Sequence, residues 1–267
     1  MNGPSTQTLV DSLAVRLDDA AVTRTPCAQL SADHELSVDT AYAVQRAVVE
    51  QRRSRGEYTV GVKLGFTSRA KAAQMGVDDV IIGRLTSGMI VADGDEIDLG
   101  DYIHPRAEPE VAFRLNRDVV PGTEAAAAWD LVDAVAPAVE VIDSRYRDFR
   151  FDLSDVIADN TSAASAVLGP WRSLGDIANR GVVLEFDGRI VGTGSTAAIL
   201  GDPLRAVSAA VRMAHRYGIS LSAGTVLLAG AATPAVALQA GTTVQATVSG
   251  LGRVRFSVAS REKASDD

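Results

Sequence analysis

The stretch YTVGVKLGF, Tyr58 to Phe66, marks the point where the chain changes from helical to strand texture. Read with the period of two that a strand imposes, Val60, Val62, Leu64 and Phe66 share one face, and Gly61, Lys63 and Gly65 share the other. Lys63 then projects between two positions without side chains, where glycine permits close approach of a ligand or another backbone. Two readings stay open. Lys63 can be an edge-strand lysine that blocks aggregation, in a strand that bends at its glycines. It can instead stand in a semi-enclosed site, binding a substrate carboxylate or, with a lowered pKa, transferring protons.

Upstream of this stretch the periodicity is helical. Leu9, Leu13 and Leu17 recur at helical spacing, as do Ala41, Val44 and Val48, and Gly56 is a natural stop. Downstream come short runs rich in Val and Ile, separated by Gly, Asp and Pro. Helices are expected near Glu124 to Ala134 and from Asp202, with Pro203 at the first helical position, a stripe of Leu204, Val207 and Val211, and Gly218 as stop. Val244, Ala246 and Val248, then Gly250-Leu251-Gly252, then Val254, Phe256 and Val258 read as a hairpin. The division expected is a helical N-terminal segment over 1–57, a strand-rich body over 58–260 and a flexible tail over 261–267. The class is α+β.

With 267 residues, 46% hydrophobic and 22% charged, the chain is an ordinary globular one that can bury a real core. A formal charge of -8 argues against nucleic acid as a partner, so an anionic substrate needs local positive charge or a metal. Cys27 is the single cysteine, which rules out an internal disulfide and a thiolate cluster and fits a reducing cytoplasm. The N-terminus does not read as a signal peptide, and no run approaches the roughly 20 apolar residues of a membrane span. A cytoplasmic protein without membrane partners is expected.

In AEPEVAFRL, Ala107 to Leu115, the same period puts Glu108, Glu110 and Ala112 on one face. Two carboxylates side by side raise each other's pKa unless water or a cation neutralises them, and a solvated strand face is the plain reading. Glu140 is the single charge inside AVAPAVEVI, Ala134 to Ile142, and a carboxylate buried in such a run needs a cation. That cation can be a basic side chain such as Arg145, or a metal. Three carboxylates, no cysteine cluster and just three histidines, His34, His104 and His215, suit a hard ion such as Mg2+ or Mn2+ better than zinc.

The runs GVKLGFTS (Gly61 to Ser68), MGVD (Met75 to Asp78), IHPRAEPEVAFRL (Ile103 to Leu115), APAVEVIDSRYRDFRFDL (Ala136 to Leu153) and ADNTS (Ala158 to Ser162) resemble, in order, the signature segments of one group of enzymes. This is the 4-oxalocrotonate decarboxylase and 2-oxopent-4-enoate hydratase group of the fumarylacetoacetate hydrolase superfamily. The resemblance implies a mixed β-roll or sandwich with flanking helices, assembled as oligomers. It implies Glu108, Glu110 and Glu140 as metal ligands, Lys63 and Ser162 as catalytic residues, and substrate contacts at Asp78, Ile81, Ser162 and Thr233. The reaction implied is metal-dependent decarboxylation of 2-oxohex-3-enedioate to 2-hydroxypenta-2,4-dienoate through a metal-stabilised enolate, a step of meta-cleavage aromatic catabolism.

Hydratases of the group carry an aspartate in a P-D-F-G or P-D-Y-G stretch, and here Val80-Ile81-Ile82-Gly83 stands in its place. Ile81 therefore favours the decarboxylase over the hydratase. Val80 departs from both patterns by lacking the proline. A C-C bond hydrolase would need a histidine near the metal, and His34 has no convincing placement. A non-catalytic partner subunit, in a complex of pathway hydratase and decarboxylase, is opposed by the intact Glu108, Glu110, Glu140 and Lys63.

Overall fold

Helix α1 (Thr6–Thr23) packs its Val10, Leu13 and Leu17 face against α2 (Val38–Ser54) in a computed structural model that describes residues 6–68, 79–120 and 129–260. Ser37 caps α2 by accepting from the Thr40 amide, and the chain turns out of the helix through Gly56 at φ +96°. These helices share one core with the strands that follow, since Val10, Leu17, Ala41 and Val44 cluster with Val62, Leu64, Val111 and Phe113.

The strands form two sheets. The larger contains β1 (Thr59–Gly65), β2 (Ile81–Thr86), β3 (Ile90–Ala92), β5 (Arg106–Leu115), β6 (Val132–Ile142), β7 (Ala163–Leu168) and β11 (Val226–Ala231), with the short β8 (Arg172–Ser173) and β12 (Val236–Ala237) attached. Its order is β2-β1-β11-β5-β6-β7-β3, mixed parallel and antiparallel. The smaller joins β10 (Arg189–Ser195), β9 (Gly181–Phe186), β13 (Thr243–Val248), β14 (Gly252–Val258) and β4 (Glu96–Ile97). Ala107, Val139, Val141 and Val167 of the large sheet meet Leu184, Val244, Ala246, Val254 and Phe256 of the small one in a dry layer, a sandwich of the kind expected. The C-terminal hairpin falls on β13 and β14, with every apolar residue of its alternation buried.

Two short helices complete the body: α3 (Leu153–Ala158), and α4 (Leu204–Tyr217), which ends on the left-handed Gly218. Asp202 Oδ1 accepts from the Leu204 amide at 2.9 Å, so the capping role read for Asp202 holds. Gln45 of α2 donates to the carbonyls of Ile82 and Ile157 and thereby ties β2 and α3 to the helical layer. The expected helix over Glu124 to Ala134 needs correction at its end. Residues 121–128 lie outside the described residues, and Val132 to Ala134 already belong to β6, where Val132 pairs with Leu115. Strand pairing along β5 continues through Pro137, which a helix could not hold in its interior. The tail 261–267 also lies outside the described residues.

Candidate metal centre and substrate cleft

Strands β5 and β6 run antiparallel with Glu108 directly opposite Glu140 and Glu110 opposite Ala138. Period two and this register put all three carboxylates on one face, where Ala112, Ala136, Ala138 and Ala166 leave room for them. Glu108, Glu110 and Glu140 are buried, at 7%, 1% and 0% exposure, so the solvated strand face is excluded. One oxygen from each can be chosen so that all lie within 4.8 Å of one another.

Lys63 completes the cluster. Its strand lies between β2 and β11, so it is not an edge lysine, and its Nζ sits 3.0 Å from Glu140 Oε2 while donating to the Thr161 carbonyl at 2.9 Å. Glu140 thus takes Lys63 as its basic neighbour. Arg145, the alternative, pairs with Asp159. The flanking glycines permit the close approach expected of them: a Cβ at Gly61 would collide with the Val226 carbonyl, and Gly65 lines the cleft where a Cβ would meet Thr161 and Ile81.

The electrostatics of this cluster are unbalanced. Burial pushes the Glu110 carboxyl well above its usual range, and Glu140's charge adds to this while Lys63 opposes it. Burial likewise raises Glu140, again against Lys63. Burial acts to lower Lys63, but the charges of Glu140, Glu110 and Glu108 outweigh it and leave the ammonium above its ordinary value. The lowered lysine pKa considered for proton transfer is therefore corrected, because the acids around Lys63 hold its proton. Fully ionised, the three carboxylates would outnumber the one ammonium that faces them among the described residues. Glu110 Oε2 accepts from the Gly230 amide at 2.8 Å and Glu140 Oε2 meets Lys63 at 3.0 Å, while Glu110 Oε1 and Glu140 Oε1 find no hydrogen-bond partner among the described residues. Buried, orphaned, mutually facing oxygens fit a hard divalent cation.

A turn of unusual backbone forms the opposite wall. Asn160, Thr161 and Ser162 have φ of 48°, 57° and 57°, left-handed values that cost on the order of 1–3 kcal/mol at non-glycine residues. Its supports are visible. Asn160 exchanges two hydrogen bonds with the Arg84 backbone, each 2.8 Å, and the Arg145 guanidinium grips the Asp159 side chain and carbonyl and the Asp143 carbonyl. Burial pushes Asp159 up to about 6, with Arg145 pulling the other way. The turn delivers the Thr161 carbonyl to Lys63 and places the Thr161 and Ser162 hydroxyls, both buried and without partners, beside the cleft.

The cleft itself has a volume of about 410 Å³. Lys63, Glu108, Thr161 and Ser162 form its polar part, and Ile81, Phe66, Phe149 and Phe151 are among its apolar walls. A model of the fumarylacetoacetate hydrolase C-terminal family matches residues 59–259. The chain belongs to this family. A 4-oxalocrotonate decarboxylase of Pseudomonas sp is 50% identical over 249 residues, 93% of this chain and 97% of the relative. A 2-keto-4-pentenoate hydratase of Burkholderia vietnamiensis is 39% identical over 222 residues, 80% of this chain and 84% of the relative. The solved 4-oxalocrotonate decarboxylase from Pseudomonas putida G7, complexed with magnesium and adipate, matches with a TM-score of 0.91 and 35% identity over 96% of this chain and 100% of that one. Another structure of that enzyme carries calcium and acetate.

Within this family framework the fold brings Lys63, Ile81, Glu108 and Ser162 to one cleft, with Glu110 and Glu140 beneath it. Thr233 lies just outside the lining, its hydroxyl turned to the Pro234 carbonyl at 3.1 Å, while Pro234 itself lines the cleft. Asp78 lies outside the described residues. His34 is absent from the lining. Three features were missed by the sequence reading. Arg106 was legible, standing two residues before Glu108 on the same strand face. Gly230 and the Arg145–Asp159 pair were not, because their roles depend on contacts across 120 and 14 residues. Gly230, at φ +113°, also lies where any Cβ would strike Thr67.

Proposed function

We propose that this protein decarboxylates 2-oxohex-3-enedioate (4-oxalocrotonate) to 2-hydroxypenta-2,4-dienoate. The observation that carries the reading is the buried acid triad with orphaned oxygens, opening onto a cleft walled by Ile81 and phenylalanines. Glu108, Glu110 and Glu140 would hold a divalent cation, Mg2+ or Mn2+. When bound, that ion supplies Lewis acidity toward the 1-carboxylate and 2-oxo oxygens of the acid.

The chain's own groups do the rest. As the C5–C6 bond breaks, its electrons form the C4–C5 double bond, the C3–C4 double bond moves to C2–C3, and the 2-oxygen becomes negative. Lys63 places its amino group at that end of the cleft, beside Glu140, where it can hold or give a proton. Ser162 and Thr161 offer buried hydroxyls as donors to the bound acid. Ile81 and the aromatic walls offer no hydrogen bond to the departing carboxylate, so it is poorly solvated on that side and leaves as CO2 more readily. One proton is taken up by the 2-oxygen, giving the dienol.

A second reading, hydration of 2-hydroxypenta-2,4-dienoate, is favoured by the same two free hydroxyls, which can orient a water. The decarboxylase reading expects purified protein with Mg2+ to release CO2 from 2-oxohex-3-enedioate and to hydrate the dienoate slowly or not at all. Rapid hydration with no CO2 would move the assignment to the hydratase. The same reading places the enzyme in the cytoplasm, as a homo-oligomer able to associate with the hydratase of its pathway. Among the described residues no helix is long and apolar enough to cross a membrane.

A further inference from the structure

The cleft contains two cations among the described residues, and they are in opposite situations. Lys63 is committed to Glu140 and to the Thr161 carbonyl. Arg106 forms no ion pair with any described carboxylate, and its guanidinium carbon lies over the Phe149 ring, 4.2 Å from the centroid. A guanidinium fixed against an aromatic face presents its planar fork in one orientation, and that fork matches a carboxylate with two parallel hydrogen bonds.

Register decides which carboxylate. Arg106 and Glu108 are two residues apart on one face of β5, a spacing of about 7 Å between Cα atoms. Ile81 stands on β2, three strands away in the order β2-β1-β11-β5. Arg106 and Ile81 thus line the cleft from different strands, and the Arg106 part lies beside Glu108 of the acid triad. The chemistry agrees with that placement. A bidentate arginine on the departing carboxylate would stabilise its charged form and oppose its loss, whereas on the carboxylate next to the 2-oxo group it carries no such cost.

We propose that Arg106, stacked on Phe149, grips the 1-carboxylate of the 2-oxo acid and so fixes which end of the diacid lies in the apolar half of the cleft near Ile81. This rests on the decarboxylase reading of the cleft. It makes Arg106 a reader of the 2-oxo-carboxylate end that any substrate of this site must have, and leaves selection of the distal end to shape and dryness.

The test is calorimetric binding of two unreactive acids to the Mg2+-loaded protein: 2-oxopentanoate, with one carboxylate, and 2-oxohexanedioate, with two. The R106Q variant should weaken both acids by the same factor, about tenfold to hundredfold for a lost charge-assisted pair. Phe149→Leu should weaken both equally by a smaller factor, which keeps the test open if R106Q proves unstable. Loss confined to the diacid would overturn the proposal by placing Arg106 at the distal carboxylate, and unchanged binding of both would overturn it as well. Failure of the wild-type protein to bind either acid would instead bring down the reading of the cleft, and the proposal with it.

Discussion

Asp159 and Glu140 are both buried carboxylates facing a buried cation, yet the protein treats them in opposite ways. Asp159 accepts from both the side chain and the backbone amide of Arg145, whose two Nη groups also donate to the carbonyls of Asp143, Asp159 and Ala163. Glu140 meets Lys63 through Oε2 but its Oε1 finds no hydrogen-bond partner among the described residues, and Glu108 faces it directly across the sheet. A saturated ion pair holds a structure in place. An unsaturated one, with acids outnumbering the ammonium, is a seat prepared for something positive. The energetic contrast follows, because removing one partner of the first strands a buried charge, while neutralising one acid of the second relieves repulsion.

Substitution on each side of this contrast should separate stability from turnover. Glu110→Gln is expected to abolish metal-dependent turnover, exceeding the roughly 10–100-fold lost for groups one step outside a ligand shell, while the metal-free protein melts no lower than wild type. Glu110's raised pKa gives the sign: the folded state binds this proton more tightly than the unfolded chain, so ionised Glu110 costs stability as pH rises above the usual carboxylate range. Glutamine removes that cost. Arg145→Met should do the reverse and destabilise the fold by about 3–5 kcal/mol, read by denaturant unfolding. If Arg145→Met melts like wild type while Glu110→Gln unfolds, the two clusters have been assigned the wrong way round.

Lys63 sits on the boundary between the two kinds of pairing, since it is an ion-pair partner and also lines the cleft. Lys63→Met should lower turnover by roughly a hundredfold, the effect of losing a proton-transfer or charge-stabilising group. Near-normal turnover would make Lys63 a counter-ion for Glu140 and nothing more.

How far these features could be read in advance depended on their range in sequence. The paired faces of β5, the lone acid of β6, the helix from Asp202 and the C-terminal hairpin follow from local periodicity and turn chemistry, and the structure has them in place. Lys63 was placed on the correct face, and its two glycines differ in what approaches them: the Val226 backbone at Gly61, and Thr161 and Ile81 of the cleft wall at Gly65. The left-handed turn at Asn160 to Ser162 has no glycine to announce it, and its supports come from Arg84 and Arg145 elsewhere in the chain. The end of the helix expected near Ala134 failed because Val132 to Ala134 pair with β5.

The most direct measurement is a calorimetric titration of the purified, metal-stripped protein with Mg2+ over a range of pH, with Glu110→Gln alongside. The account predicts one ion bound per chain, proton release on binding, and affinity that weakens as pH falls, because the ion must displace the proton that burial favours on Glu110. The glutamine variant should bind far more weakly. Absence of Mg2+ binding to the wild-type protein, or equal binding by Glu110→Gln, would contradict the claim that Glu108, Glu110 and Glu140 form a metal site.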